Sequence, residues 1–425
     1  MSIQPFPAAT WAGWLPRSQP AGSGRRSGGA RSIAPYLGPA FVVMVGSIDP
    51  GNWATDYAAG ARYGYQLLWV VLVSTLLLLF FQHLAARLGM LSGKSLAQLV
   101  HDRLPRPLAW LFGGSILAAS SATTLAEYLG AALGLQILFG LPLIAGAALT
   151  AVVVNGLLLT QRYSRLERIV IALVALVAVS YVAQLWFFPP NGGAVAGGLV
   201  PRLHDGQLFL VLGILGATVM PHNIYLHSAL AQTRDWSRSR RPGRAQLCDT
   251  SLGMLLGGAL NAAMLLVAAA AFGAGGLAIG SLAETHAALS GVLPAAGQIF
   301  GAGLLVAGVA SALTSSLCEA STTAGFAGAA LVNRHPLFRF GLLLATLPAI
   351  GLIARAADPL NLLVWSQVVL SLQLPLTLAP LIWFSRDRAL LGSHRLGRWP
   401  TVAAVALTAA IVALNTAFLV DQFAR

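Results

Sequence analysis

A carboxylate lies beside a helix-breaking pair inside an apolar stretch of this sequence. Asp49 is followed at once by Pro50, Gly51 and Asn52 in the run SIDPGNW, just after the apolar run YLGPAFVVMVG. Proline lacks an amide hydrogen and glycine permits unusual backbone angles, so the pair is expected to break a helix. Such a break offers the Asp49 carboxylate, the Asn52 amide oxygen and free carbonyl groups near Gly46. All of these are oxygen ligands that suit a cation.

A second break is predicted in LGATVMPHNIYLHSAL, residues 215–230, where Pro221 interrupts another apolar run. Met220 directly precedes this proline, and its thioether is a soft ligand that favours transition metals over calcium or magnesium. Combined with the oxygens of the first break, Met220 indicates Mn²⁺, Fe²⁺ or a similar divalent ion. Histidine titrates near neutral pH, so we expect His222 to carry protons rather than to bind the metal.

The composition places these residues in a membrane protein. The chain has 425 residues, of which 57% are hydrophobic and 9% are charged, whereas soluble chains carry about 25% charged residues. Apolar segments long enough to cross a bilayer recur along the whole length. We predict an all-α, multi-pass membrane protein with eleven crossings, at approximately 36–62, 64–88, 107–134, 135–158, 167–188, 206–232, 251–275, 293–330, 337–354, 360–384 and 399–420.

Residues 1–35 are rich in Pro, Gly, Ser and Arg, and we expect a disordered cytoplasmic tail before a transmembrane domain at 36–422. The net charge of +13 raises the question of nucleic acid. When the loops are assigned alternately to the two sides of the membrane, most basic residues lie on the same side as the N-terminus. Basic residues stay in the cytoplasm, so we expect the N-terminus inside, the C-terminus outside and no nucleic-acid partner. Of the 26 Lys and Arg residues, the other side holds Arg62, Arg202, Arg355 and Arg425.

Three acids inside the predicted spans, Asp49, Glu127 and Glu319, are candidates for function. An ionisable group at membrane depth is costly and usually faces a cavity or an ion pathway. The alternative is a paired or protonated carboxyl group that only ties helices together. That alternative fits Asp49 poorly because of its neighbours, stays open for Glu127, and is favoured for Glu319. Cys248 and Cys318 are far apart, and we expect neither a disulfide nor a metal site from them.

The interrupted segments are the first and the sixth, which indicates two halves of five segments each. Unusual breaks at corresponding positions of two halves are typical of inverted-repeat transporters with a site near the bilayer midplane. The eleventh segment is then an addition. No residue-level repeat is visible, so the predicted symmetry depends on the two breaks.

The two breaks resemble the paired signatures of the Nramp family, the natural-resistance-associated macrophage proteins and their bacterial manganese-uptake relatives. The signatures are DPGN at 49–52 and MPHN at 220–223, with Ala217 three residues before the methionine. The resemblance extends from about residue 36 to 420. Further similar stretches are GPAF at 38–41, LAEYLGAALG at 125–134, QRYSRLE at 161–167 and SQVVLSLQLP at 366–375.

The resemblance implies a LeuT-like 5+5 inverted-repeat fold and proton-coupled import of Mn²⁺ and Fe²⁺ across a bacterial inner membrane. It implies no cofactor, since the metal is the substrate and the proton the coupling ion, and no obligate protein partner. The implied metal ligands are Asp49, Asn52, Met220, the carbonyl groups of Ala217 and Gly46, and Gln367 in some states. The implied proton pathway is Asp49, His222 and Glu127, and the implied helix breaks are Pro50, Gly51 and Pro221.

The sequence departs from the family pattern at several positions. Thr124 stands where aspartate is common, which puts the usual proton exit in question, and Gly46 stands where alanine is common. The eighth segment departs most and introduces Glu319, and Arg339 is the candidate to replace an arginine pair near the ninth segment.

Four alternatives remain at this point. They are a metal uniporter, a magnesium-type relative, an organic-solute symporter of the same architecture and an integral membrane enzyme. Met220 argues against magnesium, and Asp49 is a poor neighbour for an anionic solute. Short basic loops without a P-loop or paired acids argue against the enzyme.

Overall fold

The structure, a computed structural model, contains helices and no strands in the residues that it describes. The predicted tail at 1–35 lies outside the described residues, except for its last two positions. The described residues are 34–236, 239, 241–273, 282–292, 294–329, 335–355 and 358–424.

Seventeen α-helices occur in this part of the chain. They are α1 Pro39–Met44, α2 Pro50–Tyr63, α3 Leu68–Ser92, α4 Leu96–Arg103, α5 Arg106–Phe139, α6 Leu143–Thr160, α7 Tyr163–Phe187, α8 Gly192–Gly198, α9 Leu208–Thr218, α10 Pro221–Leu230, α11 Pro242–Phe272, α12 Leu282–Val292, α13 Pro294–Phe326, α14 Pro336–Ile353, α15 Pro359–Arg386, α16 Arg388–Leu391 and α17 Arg398–Ala424.

Ten helical runs in the described residues are long and apolar enough to cross a membrane. One run, Pro50–Ser92, joins α2 to α3 through a short 3₁₀ turn, and a shorter apolar helix, Pro39–Ile48, precedes it. The predicted first segment is therefore α1 and α2 together, and the predicted sixth segment is α9 and α10. The all-α, multi-pass prediction, with its discontinuous first and sixth helices, is confirmed.

The predicted boundary between the third and fourth segments is wrong. We placed it at residue 134, but α5 continues to Phe139 and ends at Gly140, whose φ of 69° is left-handed. Glycine adopts this conformation without strain, which makes it a common helix terminator. Pro142 then precedes α6. The short helices α4 and α12 were not predicted.

The membrane-spanning helices differ widely in how much of their surface is buried. Within the most apolar window of the α9 and α10 run, 89% of the residues are buried, against 22% in α17 and 28% in α7. The outer helices expose large apolar side chains such as Trp186 and Val182. A bilayer explains this exposure, because lipid tails solvate apolar side chains. The broken helix α9–α10 is therefore at the centre of the bundle.

Helices α5 and α13 pack closely along much of their length. A β-carbon added at Gly134 of α5 would lie 2.7 Å from the backbone of Leu305, and one at Gly308 of α13 would lie 2.5 Å from Ala131 N. Real β-carbons do not approach other atoms this closely, so glycine lets the two backbones meet. The residue numbers rise on one helix as they fall on the other, which makes the pair antiparallel.

Candidate functional site

The first break lies where the predicted residues place it. The chain leaves helical geometry at Asp49, with φ −68° and ψ 162°, between a 3₁₀ turn at Val45–Ile48 and α2. Asp49 caps α2, because its Oδ1 accepts a hydrogen bond of 2.8 Å from Asn52 N. A carboxylate at a helix N-terminus is also favoured by the helix dipole. Pro50 occupies the first helical position, where no amide hydrogen is needed.

The side-chain amide of Asn52 joins the two breaks. Its Nδ2 donates to the Gly46 carbonyl at 2.8 Å and to Asp49 Oδ1 at 2.5 Å, both in the first break. The same nitrogen donates to the carbonyl of Ala217 at 3.0 Å, at the end of α9. Three oxygen atoms from two broken helices therefore converge on one electropositive group. A cation in this position would meet the same three oxygens.

The Met220 sulfur lies against the first break. Met220 is fully buried and precedes α10 in an extended conformation, with φ −68° and ψ 121°. A β-carbon added at Gly46 would come within 2.9 Å of Met220 Sδ. Asn223 Nδ2 lies 3.5 Å from the sulfur and 3.3 Å from the Val43 carbonyl, and it connects α10 to α1. The sulfur and the Gly46 carbonyl thus belong to one place in the structure.

Gln367 of α15 also lies close to the first break. A β-carbon added at Gly51 would lie 1.8 Å from Gln367 Nε2 and 2.8 Å from Asp49 Oδ2, so both side chains press on the same backbone position. Asp49 Oδ2, Asn52 Oδ1 and Gln367 Oε1 are buried and have no hydrogen-bond partner among the described residues. Glycine at this position makes the close approach possible.

The cluster is rich in oxygen and has no positive partner in the described part of the chain. None of the ion pairs among the described residues includes Asp49, and no group of three or more His, Cys, Asp or Glu residues there is placed to hold a metal. A buried carboxylate needs a proton, a donor or a cation, because its transfer from water is costly. Amide, carbonyl and thioether groups must therefore complete any metal site here.

The other two predicted proton carriers, His222 and Glu127, form no direct hydrogen bond to Asp49 among the described residues. His222 Nδ1 lies 3.4 Å from Thr123 Oγ1 on α5. Glu127, one turn further along α5, accepts a hydrogen bond from the Ser311 hydroxyl of α13. Glu127 and Asp49 are close enough to interact electrostatically. The structure thus places all three residues in one region, and their use as a pathway stays a prediction.

Glu319 also lies at the interface of α5 and α13. Ser121 Oγ donates to Glu319 Oε1 at 2.9 Å, whereas Oε2 is buried without a partner among the described residues. The hydroxyl group of the nearby Thr124 instead donates to a carbonyl of its own helix, that of Ser120, at 3.1 Å. Glu319 is therefore fastened to the helix that carries Glu127.

Asp56 was missed, although its place inside the first apolar segment is a signal for it. It follows Asp49 by two turns of α2 and is fully buried, and neither of its carboxylate oxygens has a partner in the described part of the chain. Asp49 is the charged group that acts on it. A second buried carboxyl group therefore lies in α2, beyond the break.

A group of contacts at the start of α1, here called the clamp, ties this end of the helix to α11 and to Arg234. Asp249 of α11 accepts hydrogen bonds from Gly38 N at 2.8 Å and Ala40 N at 3.0 Å, the free amides at the start of α1. Arg234 donates to the Leu37 carbonyl at 3.0 Å and forms an ion pair with Glu167. These contacts join residues about 70 to 210 positions apart, so no local sequence signal reveals them.

The candidate ligands are sealed from solvent in this conformation. Asp49, Asn52, Met220 and Gln367 each have 0% of their surface exposed. The site is therefore closed to solvent in this structure, and the clamp joins α1 to α11.

Two helices broken at facing points inside a bundle of apolar spans define a multi-pass membrane protein of the LeuT-like fold. MhsT in complex with L-phenylalanine aligns with a TM-score of 0.63 and 16% identity, over 93% of this chain and 99% of that chain, and it shows the fold alone. A mutant of the Eremococcus coleocola manganese transporter aligns with a TM-score of 0.79 and 28% identity, over 94% of this chain and 89% of that chain.

The chain belongs to the Nramp family, described as natural resistance-associated macrophage protein-like, whose model matches residues 40–421. The predicted family is confirmed. A divalent metal cation transporter named MntH from Bacillus subtilis is 39% identical, over 93% of this chain and 94% of that protein. Its namesake from Deinococcus radiodurans is 41% identical, over 91% of this chain and 90% of that protein.

Proposed function

We propose that this protein moves divalent transition-metal ions, Mn²⁺ and Fe²⁺ foremost, across a bacterial inner membrane. The observation that carries the proposal is the convergence of the Gly46 carbonyl, Asp49 and the Ala217 carbonyl on one point beside the Met220 sulfur. The names of the relatives, divalent metal cation transporter and manganese transporter, support it.

The donor set fits a borderline metal ion better than a hard one. One carboxylate supplies charge, and the amide oxygen of Asn52 with two carbonyl groups replaces the ion's water ligands. Calcium and magnesium prefer oxygen ligands throughout, whereas a thioether favours softer ions. To bind the ion, Asn52 has to rotate so that its unpartnered Oδ1, and not its Nδ2, faces the other oxygens. Gln367 then approaches through its own unpartnered oxygen.

The direction of movement follows from the membrane orientation and the clamp. The arginine distribution places the start of α1 on the cytoplasmic side and the C-terminus outside. Release of α1 from Asp249 and Arg234 opens the site to the cytoplasm, and movement of the opposite half helices opens it to the outside. Alternation of these two states, with the occluded state between them, imports the metal. An inside-negative potential adds about 2.3 kcal/mol per charge per 100 mV.

Proton coupling is the second part of the proposal. Asp49, His222 and Glu127 lie in one region, and a proton released from the neighbourhood of Asp49 passes toward Glu127 as the metal binds. Uniport is the competing function, and Thr124 is the observation that favours it, since a hydroxyl group stands where the family commonly has a carboxylate.

The purified full-length protein in liposomes with a trapped metal-sensing dye tests both parts. We expect Mn²⁺ entry, faster when the outside is more acidic than the inside, and acidification of the lumen during entry. Mn²⁺ entry without lumen acidification and without a response to the pH gradient would establish uniport. The absence of Mn²⁺ and Fe²⁺ entry, with the protein folded and correctly inserted, would remove the proposal.

A further inference from the structure

The interface of α5 and α13 has a fixed register that sets the positions of its polar residues. Ser311 faces Glu127, Gly308 faces Ala131, and Leu305 faces Gly134. The same register continues toward the cytoplasmic side, where Ser121 bonds to Glu319 and Gly113 faces Phe326. Each step along α5 is matched by a step of similar length in the opposite direction along α13, as antiparallel helices require.

Each of the two acids at this interface accepts a hydrogen bond from a serine of the other helix. Glu127 of α5 accepts a hydrogen bond from Ser311 of α13, and Glu319 of α13 accepts one from Ser121 of α5. Ser311 and Glu319 are eight residues apart, about 12 Å along a helix. The register puts Thr124 and Ser315 opposite each other between the two acids. In this conformation each hydroxyl group donates to a carbonyl of its own helix, that of Ser120 at 3.1 Å and that of Ala312 at 3.4 Å.

The polar residues form one stripe on each helix. Positions three or four apart in a helix share a face. On α5 the stripe contains Ser120, Ser121, Thr124 and Glu127, and on α13 it contains Ser311, Ser315 and Glu319. A hydroxyl group both donates and accepts a hydrogen bond, so it can pass on a proton.

We infer that Glu319 is the next proton acceptor after Glu127 and leads the proton toward the cytoplasm. The inference rests on the proposed proton coupling and names a residue that the family signatures do not assign. Glu319 Oε2 is buried and free of a partner among the described residues, and no ion pair there includes Glu319. The titratable groups close enough to be affected by the charge of Glu319 are Tyr128 of α5 and Cys318 of its own helix, and Ser120 of α5 also lies beside its carboxyl group.

The proton transfer balances as an exchange between two carboxyl groups. The O–H bond of the protonated Glu127 breaks, and an O–H bond forms on Glu319 after relay through the hydroxyl groups of Thr124 and Ser315. Glu127 becomes a carboxylate, ready for the next proton, and Glu319 becomes a neutral acid. No net charge is created at the interface, which matters because a buried charge without a partner is costly.

The stoichiometry of proton to metal entry tests this role. Proteoliposomes with a pH-sensing dye and a metal-sensing dye give protons taken up per Mn²⁺ in one sample, and the ratio does not depend on how much protein is active. Glu319→Gln keeps the shape and the acceptor for Ser121 but cannot take up a proton. Glu284→Gln, at an exposed acid of α12, is the matched control.

We expect the proton-to-manganese ratio of Glu319→Gln to fall at least about tenfold, a conservative bound for the loss of one positioned proton carrier. Glu319→Asp should recover much of the ratio, and the control should match wild type. A combined Thr124→Ala and Ser315→Ala variant should also lower the ratio, because the relay between the acids is lost.

An unchanged ratio in Glu319→Gln, with coupling present in the wild type, would overturn the role of Glu319 and leave the proposed symport in place. A wild type that imports Mn²⁺ without protons would overturn both. If Glu319→Gln transports too little metal to measure, the combined Thr124→Ala and Ser315→Ala variant decides. A wild-type ratio in that variant would overturn the relay to Glu319.

Discussion

The two helix breaks differ in how each satisfies its own polar groups. In the first break a local side chain satisfies a free amide, because Asp49 caps α2 by accepting a hydrogen bond from Asn52 N. The second has no side-chain cap, because Met220 occupies the capping position of α10 and makes no such hydrogen bond. The first break thus supplies charge and amide oxygen, and the second supplies a sulfur and a backbone carbonyl.

This difference indicates that the first break provides most of the attraction for the ion and the second break provides the selectivity among metals. Charge attraction is strong but poorly selective, since any divalent cation gains from a buried carboxylate. A thioether adds little attraction for hard ions and more for soft ones. We therefore expect changes at the first break to abolish binding and changes at the second to alter preference among metals.

Removal of the carboxylate at the first break should have the largest effect. In Asp49→Ala the metal loses its charged ligand, and a divalent ion in the remaining neutral site is left uncompensated at a cost of about 3 kcal/mol or more. We expect Mn²⁺ uptake by proteoliposomes to fall to background. Glu284→Ala, at an exposed acid of α12, is the control and should retain uptake. Uptake by Asp49→Ala at the control's rate would exclude Asp49 as a ligand.

Crowding at the first break should have the next largest effect. In Gly51→Ala the new β-carbon would lie 1.8 Å from Gln367 Nε2 and 2.8 Å from Asp49 Oδ2, so both side chains must move. Overpacking of this kind costs about 1–3 kcal/mol, and we expect Mn²⁺ affinity measured by calorimetry to weaken accordingly. Gly114→Ala, at a helical position of α5 with open space around it, should bind as wild type. Equal affinities of the two variants would show that Gln367 and Asp49 adjust freely.

Replacement of the sulfur at the second break should change selectivity more than uptake. In Met220→Ala we expect competition assays to show the preference for Mn²⁺ over Ca²⁺ and Mg²⁺ reduced about tenfold, which corresponds to about 1.4 kcal/mol. Total uptake of divalent ions should persist, because Asp49 remains. Loss of all uptake with no change in preference would assign Met220 to packing.

The local causes of the two breaks made them predictable, while the contacts that complete the site are not local. Proline next to a polar or soft residue inside an apolar run is visible in the sequence, and both breaks lie where we predicted them. The bond from Asn52 to the Ala217 carbonyl spans 165 residues, and that from Ser121 to Glu319 spans 198. No pattern of hydrophobicity encodes such pairs, which is why the partner of Glu319 and the clamp at α1 were missed.

Loss of the amide that orients the sulfur should have the smallest effect. Asn223 Nδ2 bridges Met220 Sδ and the Val43 carbonyl without belonging to the predicted ligands. In Asn223→Ala the sulfur keeps its place in the chain but loses one weak contact, worth about 1 kcal/mol. We expect a small loss of Mn²⁺ affinity by calorimetry and a selectivity change in the same direction as Met220→Ala but weaker. A loss as large as that of Asp49→Ala would mean that Asn223 itself binds the ion, and the second break would then supply a hard ligand as well as a soft one.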